Sequence, residues 1–274
     1  MIKKINFTKM AGAGNDFIVV DVQKNIDYKN LAKKVCDRTN GIGADGLLVL
    51  DKSKKSDYKM RIINPDGSEA EMCGNGARCL AAYITKNKKP KKQMFSVETL
   101  SGEILCRAKK EIAIVRLKDP KGYKDSITLS INKQKIHVSF IDTGVPHIVI
   151  FVDKLENINV SKIGRDIRFD TKFKPKGTNV NFIEQINKNL IDARTYERGV
   201  ENETKACGTG SVASAIIAYL KTNPTIKNKQ GATMKVKTKS GEILEVCFDI
   251  IKGTAINVWL LGSAKFIAKG EYYV

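Results

Sequence analysis

Two segments of the chain, residues 77–84 and 211–220, have apolar residues on all sides rather than along one stripe, with Arg78 the one charged residue among them. A helix with that pattern must be buried on every side, so each segment predicts a central helix. Between them, Val, Ile, Thr and Phe alternate with polar residues, and turn pairs such as Asp66-Gly67, Ser101-Gly102 and Ser240-Gly241 interrupt the alternation. Such runs are typical of strands joined by tight turns. The pattern predicts an α+β protein.

The chain also repeats itself. Residues 73–84 read C-G-N-G-A-R-C-L-A-A-Y-I, and residues 207–220 read C-G-T-G-S-V-A-S-A-I-I-A-Y-L. Downstream, V-E-T-L-S-G-E-I-L (97–105) and V-K-T-K-S-G-E-I-L (236–244) agree at seven of nine positions. Paired segments in the same order are better explained by two homologous halves than by chance.

Upstream segments extend the repeat. Met60–Ile63 and Arg194–Glu197 both resemble short strands that lead into a polar turn. Asn64 and Arg198 then each lie nine residues before their cysteine. Farther back, residues 14–19 match residues 144–149, so that Asn15 corresponds to Val145.

The apolar pattern stops near residues 119–122, which read D-P-K-G. We therefore expect one half at residues 1–118 and the other at 119–264, with residues 265–274 returning to complete the first sheet. Each half is predicted to be a curved, mostly antiparallel sheet wrapped around one hydrophobic helix. The predicted fold is thus α+β with two pseudo-symmetric halves.

The composition changes this picture little. The 274 residues carry 48 Lys plus Arg against 29 Asp plus Glu, a formal charge of +19. Such an excess raises the alternative of a basic nucleic-acid-binding protein. The lysines are scattered, however, and no finger spacing or aromatic RNA-binding signature accompanies them. With neither a signal-peptide pattern nor an apolar run of membrane-spanning length, we expect a cytoplasmic protein.

Six cysteines occupy positions 36, 73, 79, 106, 207 and 247. The absence of a secretion signal argues against a disulfide framework. Two histidines, His137 and His147, and no C-x-x-C pair argue against a zinc site. We expect no metal and no cofactor, and most of these thiols to be small core residues.

Cys73 and Cys207 differ because each immediately precedes a predicted helix. The unpaired N–H groups and positive dipole at a helix start favour an anion, which lowers a thiol pKa. The following glycines leave the N–H groups of residues 74–75 and 208–209 open to a carboxylate. Two such sites acting on one α-carbon would form a two-base epimerase: one thiolate removes the α-proton, and the other thiol returns one on the opposite face.

Five segments carry a resemblance to the diaminopimelate epimerase family. They are K-M-A-G-A-G-N-D-F (9–17), D-R-T-N-G-I-G-A-D-G-L-L (37–48), N-P-D-G-S-E-A-E-M-C-G-N-G-A-R-C (64–79), G-T-N-V-N-F (177–182) and Y-E-R-G-V-E-N-E-T-K-A-C-G-T-G (196–210). The resemblance implies interconversion of LL- and meso-2,6-diaminopimelate in lysine and peptidoglycan-precursor synthesis. It also implies a homodimer, and diaminopimelate as the small-molecule partner. The scattered lysines and the short apolar runs lead us to expect no nucleic-acid and no membrane partner.

By position, the resemblance makes Cys73 and Cys207 the two bases. The substrate would be bound by Asn15, Asn64, Gly74, Asn75, Asn179, Glu197, Arg198, Gly208 and Thr209. Arg198 can pair bidentately with the distant carboxylate, and Glu197 can accept from an ammonium. His147 and Glu197 resemble positions that tune the thiol pKa values.

Two positions depart from the family pattern. Many members have Asn where this chain has Val145, and some have Gln where it has Gly46. These departures leave open a racemase of another amino acid, such as histidine or proline. Arg198 with Glu197 favours a substrate that has a second zwitterionic end.

Overall fold

The computed structural model describes residues 4–131 and 134–274. The chain divides into two compact units. One holds the chain through Arg116 together with Leu261–Val274, and the other holds Leu117–Leu260. The boundaries expected from the sequence were 118/119 and 264/265.

The first unit contains nine of the described strands and two helices. The strands are β1 (Lys4–Gly12), β2 (Asn15–Asp21), β3 (Gly46–Asp51), β4 (Tyr58–Ile63), β5 (Glu69–Ala70), β6 (Phe95–Thr99), β7 (Gly102–Lys109), β8 (Ile112–Arg116) and β18 (Lys265–Tyr273). The helices are α1 (Tyr28–Val35) and α2 (Gly74–Lys88). β18 pairs antiparallel with β1.

The second unit has corresponding elements. Its strands are β9 (Lys121–Ile131), β10 (Gln134–Asp142), β11 (Pro146–Phe151), β12 (Asn179–Asn187), β13 (Leu190–Glu197), β14 (Asn202–Thr204), β15 (Asn228–Thr238) and β16 (Ile243–Ile251). Its helices are α3 (Val160–Arg168) and α4 (Gly208–Thr222), with 3-10 turns at Leu155–Asn157 and Thr171–Phe173. The boundary at Leu260 falls inside β17 (Thr254–Ser263).

The same order of strand pairings occurs in both units. In the first, the parallel pairs are β2 with β3 and β4 with β6. The antiparallel pairs are β1 with β2, β3 with β4, β4 with β5, β6 with β7 and β7 with β8. In the second, the parallel pairs are β11 with β12 and β13 with β15. This shared topology confirms the predicted α+β fold with two pseudo-symmetric halves.

The two apolar segments form the predicted buried helices. Residues 75–84 of α2 and residues 210–218 of α4 are buried without interruption. Each unit also has one short amphipathic helix, α1 or α3, that was not expected from the sequence. Asp27 caps α1 by accepting from the N–H groups of Lys29 and Asn30, and Asn159 caps α3. α1 has eight residues and α3 has nine, so each contains few apolar positions from which a helical period could be recognised.

Strand register corrects one detail of the repeat. Ile63 pairs with Glu69 in the first unit, and Tyr196 pairs with Glu203 in the second. Five residues (64–68) connect the first pair and six (197–202) connect the second. Asn64 therefore corresponds to Glu197 rather than to Arg198, and the equal spacing to the cysteines conceals an inserted residue.

Candidate active site

Cys73 is the N-cap of α2. Its backbone is extended, with φ −141° and ψ 118°, and its sulfur accepts from the Gly76 N–H at 3.5 Å. The first intrahelical bond runs from Ala77 N to Cys73 O at 2.8 Å. The N–H groups of Gly74 and Asn75 precede that bond, so helix geometry directs them out of the helix start, where they can meet an anion.

Cys207 is the N-cap of α4 in the same way. Its φ is −119° and its ψ is 113°, and the first intrahelical bond runs from Ser211 N to Cys207 O at 2.8 Å. Its sulfur lies 3.5 Å from the Thr209 hydroxyl. Gly208 and Thr209 supply the outward N–H groups here. The expectation that both cysteines stand at helix starts is confirmed, and their catalytic role stays a prediction.

A repeated turn positions the segment in front of each cysteine. In the first unit, Ser101 N donates to the backbone oxygen of Glu71 at 3.2 Å, and in the second unit Ser240 N donates to that of Lys205 at 2.9 Å. Glu71 and Lys205 each lie two residues before the cysteine. The T-x-S-G motif, noticed only as part of the repeat, thus holds the approach to each helix.

Asn15 and Asn75, both predicted to bind substrate, contact each other. The Asn75 amide donates to Asn15 Oδ1 at 2.7 Å, and Asn15 Nδ2 donates to Asp45 Oδ2 at 2.9 Å. Asn75 Oδ1 accepts from the buried guanidinium of Arg78 at 2.8 Å. These bonds occupy both side-chain amides, and contact of either residue with substrate stays a prediction.

An ion-pair network stands behind Asn15. Arg38 donates to Asp16 at 2.7 Å and to Asp45 at 2.6 Å, while Lys9 lies 3.2 Å from Asp16. Although burial acts against it, the pKa of Asp16 is lowered by its bonds to Arg38 and Lys9. Asp16 therefore stays ionised and keeps the network that orients Asp45 toward Asn15.

In the second unit, Asn179 and Arg198 come together. Asn179 Oδ1 accepts from Arg198 N at 2.8 Å, and its Nδ2 donates to Pro146 O at 3.1 Å. The Arg198 guanidinium donates to Lys176 O at 3.1 Å. Beside it, burial raises the pKa of Glu197, which favours a neutral carboxyl in the absence of a cation.

Asn64 forms its hydrogen bonds within its own turn. Its Nδ2 donates to Ser68 Oγ at 2.9 Å, and its backbone N–H donates to Ser68 O at 2.8 Å. Asp66 Oδ1 accepts from both the N–H and the hydroxyl of Ser68, at 2.8 and 2.6 Å. The structure therefore shows a role for Asn64 in shaping the turn, and its substrate contact stays a prediction.

His147 is completely buried on β11, where it pairs in register with Asn179 on β12. Burial, with a further contribution from the positive charge of Arg198, lowers the pKa of His147 to about 3. The imidazole is therefore neutral at physiological pH. Its Nδ1 lies 3.1 Å from the Asn181 amide nitrogen.

Three other cysteines are poor nucleophiles. Burial raises the pKa of Cys36 and of Cys106 to about 12. Burial, assisted by Glu245, raises the pKa of Cys247 to about 11. A thiolate is the reactive form of cysteine, so these three residues are suited to packing rather than to proton transfer at neutral pH.

Asn181, Arg78 and Asp45 each orient a predicted site residue, and none of the three was predicted from the sequence. Asn181 could have been found, because Asn179 and Asn181 lie two apart in G-T-N-V-N-F and so share one face of a buried strand. Within residues 4–131 and 134–274, no group of three His, Cys, Asp or Glu side chains is arranged to hold a metal ion. No described helix is both long and apolar enough to cross a bilayer.

The family model described as "Diaminopimelate epimerase" matches residues 7–120 and 139–265. The chain is 39% identical over 286 residues to the diaminopimelate epimerase of Aquifex aeolicus, covering 97% of each protein. It is 46% identical over 230 residues to that of Methanocella arvoryzae, covering 78% of this chain and 82% of the relative.

Two solved structures are similar in fold. A hydroxyproline epimerase from Agrobacterium vitis gives a TM-score of 0.73 at 14% identity, covering 99% of this chain and 93% of that one. A PhzF-family phenazine biosynthesis protein from Bacillus anthracis gives 0.73 at 17% identity, covering 99% and 100%. At these identities, the similarity concerns the fold alone.

Proposed function

Because the chain belongs to the diaminopimelate epimerase family, we propose that it interconverts LL- and meso-2,6-diaminopimelate. The observation that carries the proposal is the duplicated helix start, in which a cysteine caps a buried helix and two outward N–H groups follow it. One copy of this arrangement is a common way to begin a helix. Two copies at equivalent places in two repeats provide the pair of bases that inversion of an α-carbon requires.

The reaction needs no change in the net proton count. One cysteine, as thiolate, takes the α-proton, and the electron pair left behind delocalises onto the substrate carboxylate as an enediolate. The N–H groups of Gly74, Asn75, Gly208 and Thr209 are suited to stabilise this charge. Oxyanion donors of this kind are worth roughly 2.7–4 kcal/mol each. The other cysteine, as thiol, gives its proton to the opposite face of the carbon and becomes the thiolate.

Arg198 and Glu197 are proposed to recognise the distant amino-acid end. The guanidinium suits that end's carboxylate, and an ammonium beside Glu197 would favour its ionised form. Asn179 supports this assignment because its Oδ1 holds the Arg198 backbone at 2.8 Å. A substrate with a single zwitterionic end would leave the Arg198 and Glu197 pair without a partner, which disfavours histidine or proline as the substrate.

The test is a substrate panel with the purified protein. LL-diaminopimelate, L-histidine and L-proline are offered separately, and the products are separated by chiral chromatography. We expect turnover of diaminopimelate, and we expect Arg198→Lys to raise its KM more than it lowers kcat, because a bidentate contact is lost. Faster turnover of histidine or proline would contradict the substrate assignment. Cysteine-independent, strongly salt-dependent nucleic-acid binding without racemisation would favour the basic binding protein instead.

We further propose that the protein works in the cytoplasm as a homodimer. The proposed chemistry needs reduced thiols, which suits a reducing compartment. Sedimentation analysis at micromolar concentration tests the dimer, and a monomer that is fully active would contradict it.

A further inference from the structure

His147 carries a buried polar atom that the fold does not satisfy. The residue is 0% exposed, and its Nε2 has no hydrogen-bond partner in the described parts of the chain, 4–131 and 134–274. An unsatisfied buried polar atom is costly, and such atoms are often kept for function. His147 pairs in register with Asn179 and lies within the electrostatic influence of Arg198, two predicted substrate residues.

Neighbouring backbone fixes the orientation of Asn181. Its Nδ2 lies 2.8 Å from Ile148 O, and a carbonyl oxygen can only accept. The atom at that position must therefore be the amide nitrogen. At the other end, Asn181 Oδ1 accepts from the Thr195 hydroxyl at 2.9 Å. Both contacts agree on one orientation of the amide.

With this orientation, the Asn181 amide nitrogen also faces His147 Nδ1 at 3.1 Å. Since an amide nitrogen donates, Nδ1 must accept and cannot carry a hydrogen. The hydrogen of the neutral ring is then on Nε2, the nitrogen without a partner. An imidazolium would place two donors face to face at Nδ1, so the same contact also disfavours protonation.

We propose that Asn181 is a positioning residue that holds His147 as the Nε2–H tautomer, so that His147 serves the reaction as a hydrogen-bond donor and not as a proton carrier. The recipient is an anion of the reaction, either a thiolate or a substrate carboxylate. The use of this donor in catalysis rests on the proposed function, whereas the tautomer itself does not.

The first unit shows that this network is not demanded by the fold. Strand register places Leu48 of β3 at the position equivalent to Asn181. Leu48 lies under Gly76 of α2, just as Asn181 Oδ1 lies under Gly210 of α4. Phe17, paired with Gly46, takes the place of His147 paired with Asn179. An apolar side chain therefore lies beneath one helix start, and a hydrogen-bonded amide lies beneath the other.

The tautomer can be measured directly by nitrogen-15 NMR, because the chain has only two histidines. Protein labelled at both imidazole nitrogens is compared with a His137→Gln variant, which assigns the remaining signals to His147. We expect a protonated Nε2 and an unprotonated Nδ1 at pH 7.5. A protonated Nδ1 in the wild-type protein would overturn the proposal.

Two substitutions test the role of Asn181. In Asn181→Asp the carboxylate accepts, so the hydrogen of the neutral ring should move from Nε2 to Nδ1 and the Nε2 donor should be lost. Asn181→Leu introduces the residue found at the equivalent position of the first unit, Leu48. Without the Asn181 donor, the His147 ring should populate both neutral tautomers in equilibrium. Thr195→Val is the matched control: it removes the contact at Asn181 Oδ1 and should leave the tautomer unchanged. An unchanged tautomer in a folded Asn181→Asp protein would overturn the proposal.

The kinetic measurement identifies the recipient. We expect kcat/KM to fall about 10- to 100-fold in Asn181→Asp, by analogy with the partners that orient metal-bound histidines. If the recipient is a thiolate, loss of the donor makes the thiolate less stable, and the acidic limb of the pH profile of kcat/KM moves to higher pH. If the recipient is a substrate carboxylate, KM rises and the shape of that pH profile does not change. A shifted tautomer with unchanged kcat/KM would contradict the role in the reaction. Failure of the wild-type protein to epimerise diaminopimelate would instead contradict the proposed function, whatever the tautomer.

Discussion

The two units share one topology but support their cysteine-capped helices by different chemistry. Beneath α2 the contact to Gly76 is the side chain of Leu48, whereas beneath α4 the contact to Gly210 is the amide oxygen of Asn181. Cys73 accepts from a backbone N–H, and Cys207 meets the hydroxyl of Thr209. Duplication thus preserved the helix start, while the residues beneath each helix became specialised.

The polar amides are also used differently. In the first unit, Asn15 and Asn75 bond to each other and, through Asp45 and Arg38, to a surface ion network. In the second unit, Asn179 holds the backbone of Arg198. The first unit therefore stiffens the helix start itself, and the second orients a cation suited to substrate recognition.

The largest expected effect comes from removing either cysteine base. We expect Cys73→Ala and Cys207→Ala each to lower kcat for epimerisation by about 10³-fold or more, because general acid–base groups contribute roughly 10²–10⁴-fold. Cys247→Ser, at a half-buried thiol with a raised pKa, is the control and should retain activity. Near-normal turnover in either alanine variant would show that the two units do not contribute equivalent bases.

Thiol reactivity should separate Cys73 from Cys247, which are both half-buried. With a pKa of about 11, Cys247 is almost entirely thiol at pH 7, whereas a helix start favours the thiolate of Cys73. Site-resolved mass spectrometry after brief iodoacetamide treatment should show Cys73 modified at least about 10-fold faster. Equal rates would mean that the helix start does not activate the thiol.

A glycine pair tests the difference beneath the two helices. A methyl group on Gly210 would collide with Asn181 Oδ1, a fixed amide, and would lie 3.2 Å from the Cys207 sulfur. On Gly76 it would meet a methyl of Leu48 at 3.1 Å, the movable end of a flexible side chain. We expect Gly210→Ala to lower kcat/KM by roughly 10-fold and Gly76→Ala by less, because the Leu48 methyl can move aside whereas the bonded Asn181 amide cannot. The reverse order would contradict the comparison.

The smallest effect concerns stability and pH. Burial raises the pKa of Glu197 above its ordinary value of 4.5, so folding disfavours the carboxylate. Below pH 4.5 the Glu197 carboxyl is neutral in both the folded and the unfolded protein, and folding carries no penalty for burying a charge. As the pH rises from 4.5 through the raised pKa of the folded protein, the free energy of unfolding falls. Glu197→Gln should therefore increase Tm at pH 8 by roughly 1–3 °C and have little effect at pH 4. Thermal unfolding of both proteins at the two pH values is the measurement, and a lower Tm of the variant at pH 8 would contradict it.

Features encoded by local pattern could be predicted from the sequence. The C-G-x-G motifs and the apolar runs behind them gave the starts of α2 and α4 and their burial. α1 and α3 were not predicted because eight or nine residues contain too few apolar positions to establish a helical period. The role of buried Arg78 could not be predicted either. A charged residue within an apolar run does not indicate which amide oxygen will accept a hydrogen bond from it.

Features that depend on register could not be predicted. The equivalence of Asn64 with Glu197 follows from strand pairing, and equal spacing to the cysteines hid it. The contact between His147 and Asn181 requires β11 and β12 to lie parallel and in one register. The neighbouring hydrogen bond, from Asn181 to the Ile148 carbonyl, joins two residues that are 33 positions apart in the chain. A sequence shows that polar residues share a strand face but not which neighbour they meet.

In the proposed mechanism, each half supplies one base of a two-base inversion. The most direct measurement is the position of deuterium after brief incubation of LL-diaminopimelate with the protein in heavy water. Two separate thiols predict one deuterium at the inverted α-carbon of the meso product and none in the recovered LL substrate. Deuterium entering the recovered substrate as fast as the product, or a product without deuterium, would contradict the account.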